Sequence, residues 1–437
     1  LKIMKLKVSK SENLKGKFEV PPSKAHGWRA MFLSGLAEGK SIIRNAKESA
    51  DWYKGVEGLE MFGAKYEKND KGEWLVQGAG KNIKTPDNVI DGGNSGPLLR
   101  YFIAVSAATT QNYVVITGDH SLRSLRPAGP IVDAINQLGG WAVNTKGDNY
   151  APVVVRGKIN GGKCTVDGSD SQTVSGLLVG CAMCEKDTEI FVKNAGEKGW
   201  VELTLHWMKE AGLEVENVGG NYDHYIVRGG KKIKPLNVTI KNDWQAAPTP
   251  LLAGILIPGS EITIENMDIE DVLPDRQVIY TLQKMGANIE MKGDKVIARY
   301  SPKLKGMKVD PNWYTDQFMP IAIAAAFAEG KTEIYNNEIQ RHKECDRIKA
   351  VTEGLRAMGV KVDEKQDGMI IYGNGGKDLK GGIIDGYKDH RMLMAFGIAG
   401  MRASGETIIS DAEYLQKTFK SFDQDLRDMG ADAEIID

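Results

Sequence analysis

Cysteine is scarce. The chain holds four in 437 residues, Cys164, Cys181, Cys184 and Cys345. That is too few to staple a protein of this size, so the fold is expected to rest on its core, in a reducing, cytoplasmic setting. Zinc spacing is missing too. There is one Cys-x-x-Cys with no second pair, no His-Glu-x-x-His, and six histidines in all, so no metal is expected. The Cys181–Cys184 pair lies in an apolar helical pattern, SGLLVGCAMCE, and reads as core. Neither charge dominates: Lys+Arg 57 against Asp+Glu 58 gives a net charge of -1. This excludes a generally basic nucleic-acid binder and an acidic tail protein, while allowing local basic clusters. No apolar run reaches the ~18 residues of a membrane span. The opening LKIMKLKVSKSENLKG lacks the apolar centre of an export signal. Neither a membrane nor a nucleic acid is an expected partner. Dinucleotide and P-loop fingerprints are absent as well.

What is present points to a large, repetitive globular protein. Hydrophobic residues make up 41% and charged residues 26%, enough for a sizeable core. The length, roughly three times that of a typical domain, predicts at least two domains. Glycine is abundant at 50 residues. Six of them end the same phrase, an apolar helix running into Gly and then an alternating strand: LEMFGAKYE at Gly63, INQLGGWAV at Gly139, MKEAGLEVE at Gly212, LQKMGANIE at Gly286, LRAMGVKVD at Gly359 and LRDMGADAEI at Gly430. The phrases recur at intervals of 71 to 76 residues. A second phrase, an apolar strand running into a polar loop, precedes each helix. Solenoid repeats have shorter periods, so six α/β units grouped as three plus three are expected. RGGKKIKPLNVTIK, near Gly229–Lys241, breaks the pattern and marks the expected crossover between halves.

The polar loops carry the chemistry. Lys24 and Arg29 sit at a strand-to-helix junction, where free N–H groups and the helix dipole favour an anion. Glycines open a helix at Asp91-Gly92-Gly93-Asn94-Ser95-Gly96-Pro97, a setting in which backbone N–H groups cradle anions. In Asp119–Pro127, Pro127 fits a first helical position and would put Arg126 at the helix entrance. Arg341-His342-Lys343-Glu344-Cys345-Asp346-Arg347 packs three fixed cations with carboxylates, suited to an anion and a proton donor. Lys388-Asp389-His390-Arg391-Met392 opens another apolar helix, and Lys417-Thr418-Phe419 lies in the last repeat. His206 and Trp207 read as packing.

Taken in order, the motifs Ser23-Lys24-x(4)-Arg29, Gly93-Asn94-Ser95-Gly96-x(3)-Arg100, Gly118-Asp119…Arg126-Pro127, Ser171-Gln172, Arg341-x-Lys-Glu-Cys-Asp-Arg347, Asp389-His-Arg-Met392 and Lys417-Thr-Phe419 resemble the enolpyruvyl transferase family across essentially the whole chain. The resemblance implies two inside-out α/β domains, each a threefold assembly of βαβαββ units with helices inside and sheets outside. Residues 22–240 would form one half and 1–21 plus 241–437 the other, with the active site in the cleft between them and closure on ligand binding. It implies transfer of the enolpyruvyl group of phosphoenolpyruvate to an acceptor hydroxyl with release of phosphate. No cofactor or metal is needed, and a monomer is expected. Lys24, Asn94, Gly96, Arg126, Gln172, Arg347, Arg391 and Lys417 would hold phosphoenolpyruvate. Asp316 would be the base at the acceptor hydroxyl. Glu344, with Lys24 and Lys417, would handle the proton at the methylene carbon. Arg29 and Lys343 would touch the acceptor.

The departures from the family pattern fall on the acceptor side. Ala25, Pro97, Asp170 before Ser171 and Gln172, Glu197 and Trp200 stand where the family usually has Ser, Thr, Ser, Ser and Tyr. Carboxylates at Asp170 and Glu197 would repel an acceptor phosphate unless Lys198 or Arg123 offsets them. The acceptor therefore stays open between shikimate 3-phosphate, the shikimate-pathway substrate, and a different hydroxyl, amine-bearing or unphosphorylated. The UDP-N-acetylglucosamine branch is disfavoured, because Gly118–Pro127 lacks its Cys. A non-catalytic anion-binding relative is the reading from another class, and the carboxylates Asp316 and Glu344 among the cations argue against it.

Overall fold

The computed structural model describes residues 4–417, 419 and 421–437. The chain divides into two compact units, Pro22–Ile240 and Leu1–Pro21 with Lys241–Asp437.

In the unit Pro22–Ile240, three four-stranded sheets share one topology. Gly162–Asp167 runs parallel to Thr188–Lys193, which pairs antiparallel with His224–Val227, which pairs antiparallel with Val215–Asn217. The same order holds for Ile90–Asp91, Tyr113–Thr117, Val153–Arg156 and Trp141–Asn144. It holds again for Asn237–Thr239, Lys40–Arg44, Trp74–Gln77 and Lys65–Lys68. In that sheet the parallel edge strand comes from the unit's far end, so the stretch that breaks the repeat in sequence is the strand that pairs back onto the first repeat. Alternation sets each register: in YVVIT, Val114 and Ile116 face the core, as the period of two requires.

The helices behave as their apolar content dictates. Lys24–Leu36, Gly96–Thr109 and Ser171–Ala182 are apolar on nearly every side and almost wholly buried, whereas Ala50–Met61, Gly129–Gln137 and Lys198–Glu210 are buried on one face. Two of the buried helices meet at small residues. A Cβ at Gly180 would lie 2.6 Å from that of Ala104, so nothing larger than Gly fits that crossing.

The other unit repeats the plan. Its sheets are Lys15–Phe18, Glu261–Ile264, Lys295–Arg299 and Asn288–Lys292; Lys308–Val309, Lys331–Ile334, Gly368–Tyr372 and Lys361–Lys365; and Ile383–Ile384, Thr407–Ile409, Lys5–Val8 and Ala433–Ile436. The two N-terminal strands thus fill one place in each of two sheets. Pro248–Leu256, Phe318–Phe327 and His390–Gly400 are its buried helices. Gln277–Lys284, Arg347–Ala357 and Phe422–Asp428 are its half-buried ones. The sixfold repeat and the α/β class expected from sequence are borne out. Each of the six phrase-ending glycines has positive φ, from 76° at Gly212 to 106° at Gly63, the left-handed helix ending that only Gly adopts without cost. No helix among the described residues is long and apolar enough to cross a membrane.

Candidate functional site

In both units most of the residues singled out from sequence lie at or just before helix N-termini, where the helix dipole makes the local field positive.

In Pro22–Ile240, the three buried helices are capped by Ser23, Ser95 and Asp170, whose side chains accept from the N–H of His26, Leu98 and Gln172. Lys24 is the first residue of its helix, and its Nζ is ion-paired with Asp51 at 2.5 Å. Asn94 gives its amide to Asp119 Oδ2 and Ser121 Oγ, while its carbonyl accepts from Arg126 Nη1 at 3.2 Å. What this turn offers a ligand is therefore backbone. Gly96 is the focus of the group. A Cβ there would lie 2.2 Å from Gln172 Oε1, 3.0 Å from Arg100 Nη1 and 3.3 Å from Arg126 Nη1. Gln172 Oε1 is buried with no hydrogen-bond partner among the described residues. Gly96, Arg126 and Gln172, assigned together from sequence, do converge. The expected place of Arg126 needs correction. Pro127 is not the first residue of a helix: Gly129–Gln137 begins two residues later with Pro130 in its first turn, and Arg126 lies in the link after the short helix His120–Ser124.

The acceptor-side residues are held by each other. Arg29 is buried, donating Nε to Thr204 Oγ1 at 3.1 Å, Nη1 to Ala25 O at 3.0 Å and Nη2 to Trp200 O at 3.3 Å. Its guanidinium also lies 4.4 Å from the Trp28 ring centre. Asp170 is not offset by Lys198 or Arg123. Its partner is Arg100, a fully buried guanidinium 3.1 Å away, while Arg123 Nε donates to Asp119 O. Glu197 is buried in a left-handed conformation, φ 47°, and its Oε2 accepts from Ser171 N and Oγ at 3.3 and 3.0 Å. Both carboxylates are thus engaged in structure. As sequence suggested, Trp207 packs, donating to His26 Nδ1 at 3.0 Å, and Cys181 and Cys184 are buried; Cys164 is buried too, and burial pushes its thiol up to about 12.

In the other unit the cluster centres on Arg347. Its Nε and Nη2 donate to Asp389 at 2.7 and 3.4 Å. Nη2 also lies 2.9 Å from Glu344 Oε2, and Nη1 donates to Asp316 Oδ1 and Gln340 Oε1, both at 3.1 Å. Asp389 is the wholly buried cap of His390–Gly400 and accepts from Arg391 N. Asp316 also takes Arg391 Nη2 at 3.3 Å, Gln340 Nε2 at 3.0 Å and Gln245 Nε2 at 3.4 Å. Burial alone would raise the Asp316 carboxyl. Arg391, Arg347 and Lys343 outweigh it and hold it far below the carboxylate range. Asp316, Lys343, Glu344, Arg347 and Arg391 are therefore brought together as the sequence predicted. Arg341 is not one of them: it is engaged by Asp346, Glu364 and the carbonyls of Lys365 and Gln366. The Lys417 side chain lies outside the described residues.

Sequence reasoning gave no role to Asp51, Asp275, Gln317, Gln340 or Asp389, nor to Arg100, which it named only as part of a motif. Each stands in an ordinary helical or loop context and acquires meaning only from a partner distant in the chain.

A family model described as EPSP synthase (3-phosphoshikimate 1-carboxyvinyltransferase) matches residues 8–426. The 3-phosphoshikimate 1-carboxyvinyltransferase of Methanocaldococcus jannaschii is 39% identical over 432 residues, covering 98% of this chain and 99% of that protein. The protein of that name from Acetivibrio thermocellus is 39% identical over 429 residues, 98% and 99%. The solved EPSP synthase of Acinetobacter baumannii superposes with a TM-score of 0.83 at 26% identity, over 99% of this chain and all of that one.

Proposed function

The chain belongs to the EPSP synthase family and is a 1-carboxyvinyl (enolpyruvyl) transferase; from that premise we propose that it moves the enolpyruvyl group of phosphoenolpyruvate onto the hydroxyl of shikimate 3-phosphate, releasing phosphate, with the residue roles argued below. The observation that carries the choice of acceptor is the engagement of Asp170 by Arg100 and of Glu197 by Ser171. The carboxylates that made a phosphorylated acceptor look ill-matched already have partners, and both lie in the field of the buried Arg100 cation.

The reaction needs a proton removed from the acceptor hydroxyl and one delivered to the methylene carbon as the new C–O bond forms, then a proton taken back from the resulting methyl group as the bond to phosphate breaks, with anions held while charge shifts between them. Lys24, Arg126, Gln172, Arg347, Arg391 and Lys417 are assigned to phosphoenolpyruvate, with the Asn94–Gly96 turn lending backbone. Asp316 takes the hydroxyl proton. Alone, a carboxylate held this low is a weak base. An arriving phosphate and carboxylate engage Arg391 and Arg347, and Asp316 loses part of the field that suppresses its basicity. The substrate thereby switches on the base, and Asp316 stays quiet without it. Glu344, paired with Arg347 at 2.9 Å, is released by the same event; it then takes up a proton from solvent, delivers it to the methylene carbon, and recovers it from the methyl group as phosphate leaves.

Phosphate release tests the reading directly. The protein should liberate phosphate from phosphoenolpyruvate only when shikimate 3-phosphate is supplied, with one enolpyruvyl product per phosphate. Turnover with another hydroxyl compound and none with shikimate 3-phosphate would replace the acceptor. No phosphate with any acceptor, alongside retained phosphoenolpyruvate binding, would leave an anion-binding protein.

A further inference from the structure

Beneath Asp316 lies a second carboxyl group for which the reaction scheme has no use. Asp275, in the turn Pro274–Arg276 that leads into the helix Gln277–Lys284, is completely buried. Its Oδ1 accepts from Gln317 Nε2. Its Oδ2 has no hydrogen-bond partner among the described residues. Gln317, also completely buried, follows Asp316 in the chain and gives the same amide nitrogen to Gln245 O at 3.2 Å. Gln245 in turn donates its side-chain amide to Asp316 Oδ2 at 3.4 Å. The charged groups facing Asp275 are Asp316 and Asp243, which repel its ionised form, and Arg391, which attracts it.

We propose that Asp275 is a positioning residue of the transferase reaction, anchoring Gln317 and, through Gln317 and Gln245, fixing the Asp316 carboxylate. The inference rests on the reading that Asp316 and Arg391 serve the substrates. Its physical content is a division of charge between neighbouring carboxyl groups. Asp316 is surrounded by cations and is ionised. Asp275 sits in a dry interior with one hydrogen bond, a setting that disfavours a charge; burial first, and the Asp316 charge second, push its carboxyl up to about 8. At neutral pH it is the uncharged acid, so Arg391 carries its full charge toward an incoming anion. Once ionised, Asp275 would compete with that anion for Arg391 and would repel Asp316, disturbing the base it supports.

The experiment is a pH series of kcat and of KM for phosphoenolpyruvate, from pH 6 to 9.5, at saturating shikimate 3-phosphate, on the full chain and on Asp275→Asn and Asp275→Ala. Asn cannot ionise but still offers Gln317 an acceptor. KM of the parent should rise several-fold above about pH 8, and the Asn variant should lack that rise. Asp275→Ala removes the anchor and should lower kcat by about tenfold or more, with Asn losing distinctly less. An identical alkaline rise in the parent and Asp275→Asn would overturn the proposal, as would an Ala variant with unchanged kcat. A purely structural role would depress both variants alike and leave the pH profile in place, which also overturns it. Should Asp275→Ala fail to fold, the Asn comparison decides alone. Asp316→Asn is run alongside: undiminished turnover there would refute the reading of the site itself, whatever Asp275 does.

Discussion

Arg100 places Nη2 3.1 Å from Asp170 Oδ2, with its guanidinium wholly out of reach of solvent. The same group donates to Gly96 O at 3.2 Å and Pro127 O at 2.6 Å. One buried cation thus ties together the turn that opens the helix Gly96–Thr109, the link that carries Arg126, and the cap of the helix Ser171–Ala182. Asp170 owes its place to this cation. A serine there would cap the helix equally well but would leave Arg100 without a counter-charge.

Arg100→Met should therefore be costly. It strands a carboxylate that is three-quarters buried and leaves two carbonyls without their donor. Breaking a buried pair from one side costs about 3–5 kcal/mol, and urea-induced unfolding should register a loss of that order. A midpoint indistinguishable from the parent would mean that Arg100 contributes nothing to holding the three segments.

Glu197 offers a separate test on the acceptor side. It holds Ser171 by both N–H and hydroxyl, so Glu197→Ala should loosen Ser171 and raise KM for shikimate 3-phosphate by about tenfold, the worth of about one hydrogen bond to a charged group. KM for phosphoenolpyruvate should change less than about twofold, and Glu197→Gln, which retains an acceptor, should recover most of the loss. Equal effects of Ala on both substrates would show a general distortion instead. The double change Asp170→Ser, Glu197→Ser should not improve binding of shikimate 3-phosphate, since the Arg100 cation offsets both carboxylates.

These two pairs also show where sequence reading reaches and where it stops. The glycine that ends each half-buried helix is a local signal: its positive φ is needed whatever lies across the fold, so six copies at even spacing were enough to recover the repeat, the α/β class and the loops that matter. Glu344 and Arg391 were legible because charge clustered in one loop or at the head of an apolar helix is locally incongruous, whereas Asp316 came only from the family resemblance. The role of Arg100 was not legible: it stood in a motif, but one cation in GPLLRYFIAVSAAT shows no purpose until Asp170, 70 residues away, supplies its partner. Asp275 and Gln317, 42 residues apart, were hidden for the same reason. Pro127 misled because a proline after a charged loop suits the start of a helix, and the competing Pro130 suits it better.

For Asp316, the cations on three sides predict a split between binding and turnover. Asp316→Asn removes an anion that already occupies the field of Arg391, Arg347 and Lys343. Phosphoenolpyruvate should then bind several-fold more tightly, while kcat falls by ~10² or more for want of a base. Calorimetric titration read beside steady-state rates separates the two effects. Weaker binding in this variant would mean that Asp316 organises the arginines rather than competing for them.

The same residue sets part of the acid limb of stability. Its folded carboxyl lies well below the ordinary value, lowered chiefly by Arg391 and then by Arg347 and Lys343 against the opposing effect of burial. A lowered carboxyl contributes stability that is fully present above the unfolded value of about 4 and is lost as pH falls through that value toward the folded one. Asp389, held down by Arg347, acts in the same direction. Unfolding curves at pH 5 and pH 3 should show a smaller difference for Asp316→Asn than for the parent. An equal difference would place the acid sensitivity elsewhere.

Arg347 should tolerate no substitute, Lys included. Its guanidinium reaches Asp389 through two nitrogens, Asp316 and Gln340 through a third contact point, and Glu344 through Nη2. That planar fork fixes both carboxylates assigned to proton transfer and the cap of the helix that carries Arg391. A lysine keeps the charge but has one nitrogen on a flexible stem, so it serves one or two of these acceptors at a time. With the fork gone, Asp389 loses a bidentate partner in a site with no solvent access, and Glu344 and Asp316 lose their common reference point. Arg347→Lys should cut kcat/KM by ~10³ or more, with kcat and KM both affected, and should lower stability by about 2–4 kcal/mol. If charge alone mattered, the lysine variant would keep near-parental KM for phosphoenolpyruvate and near-parental stability. That pattern in paired kinetic and urea measurements would refute the geometric role given to Arg347.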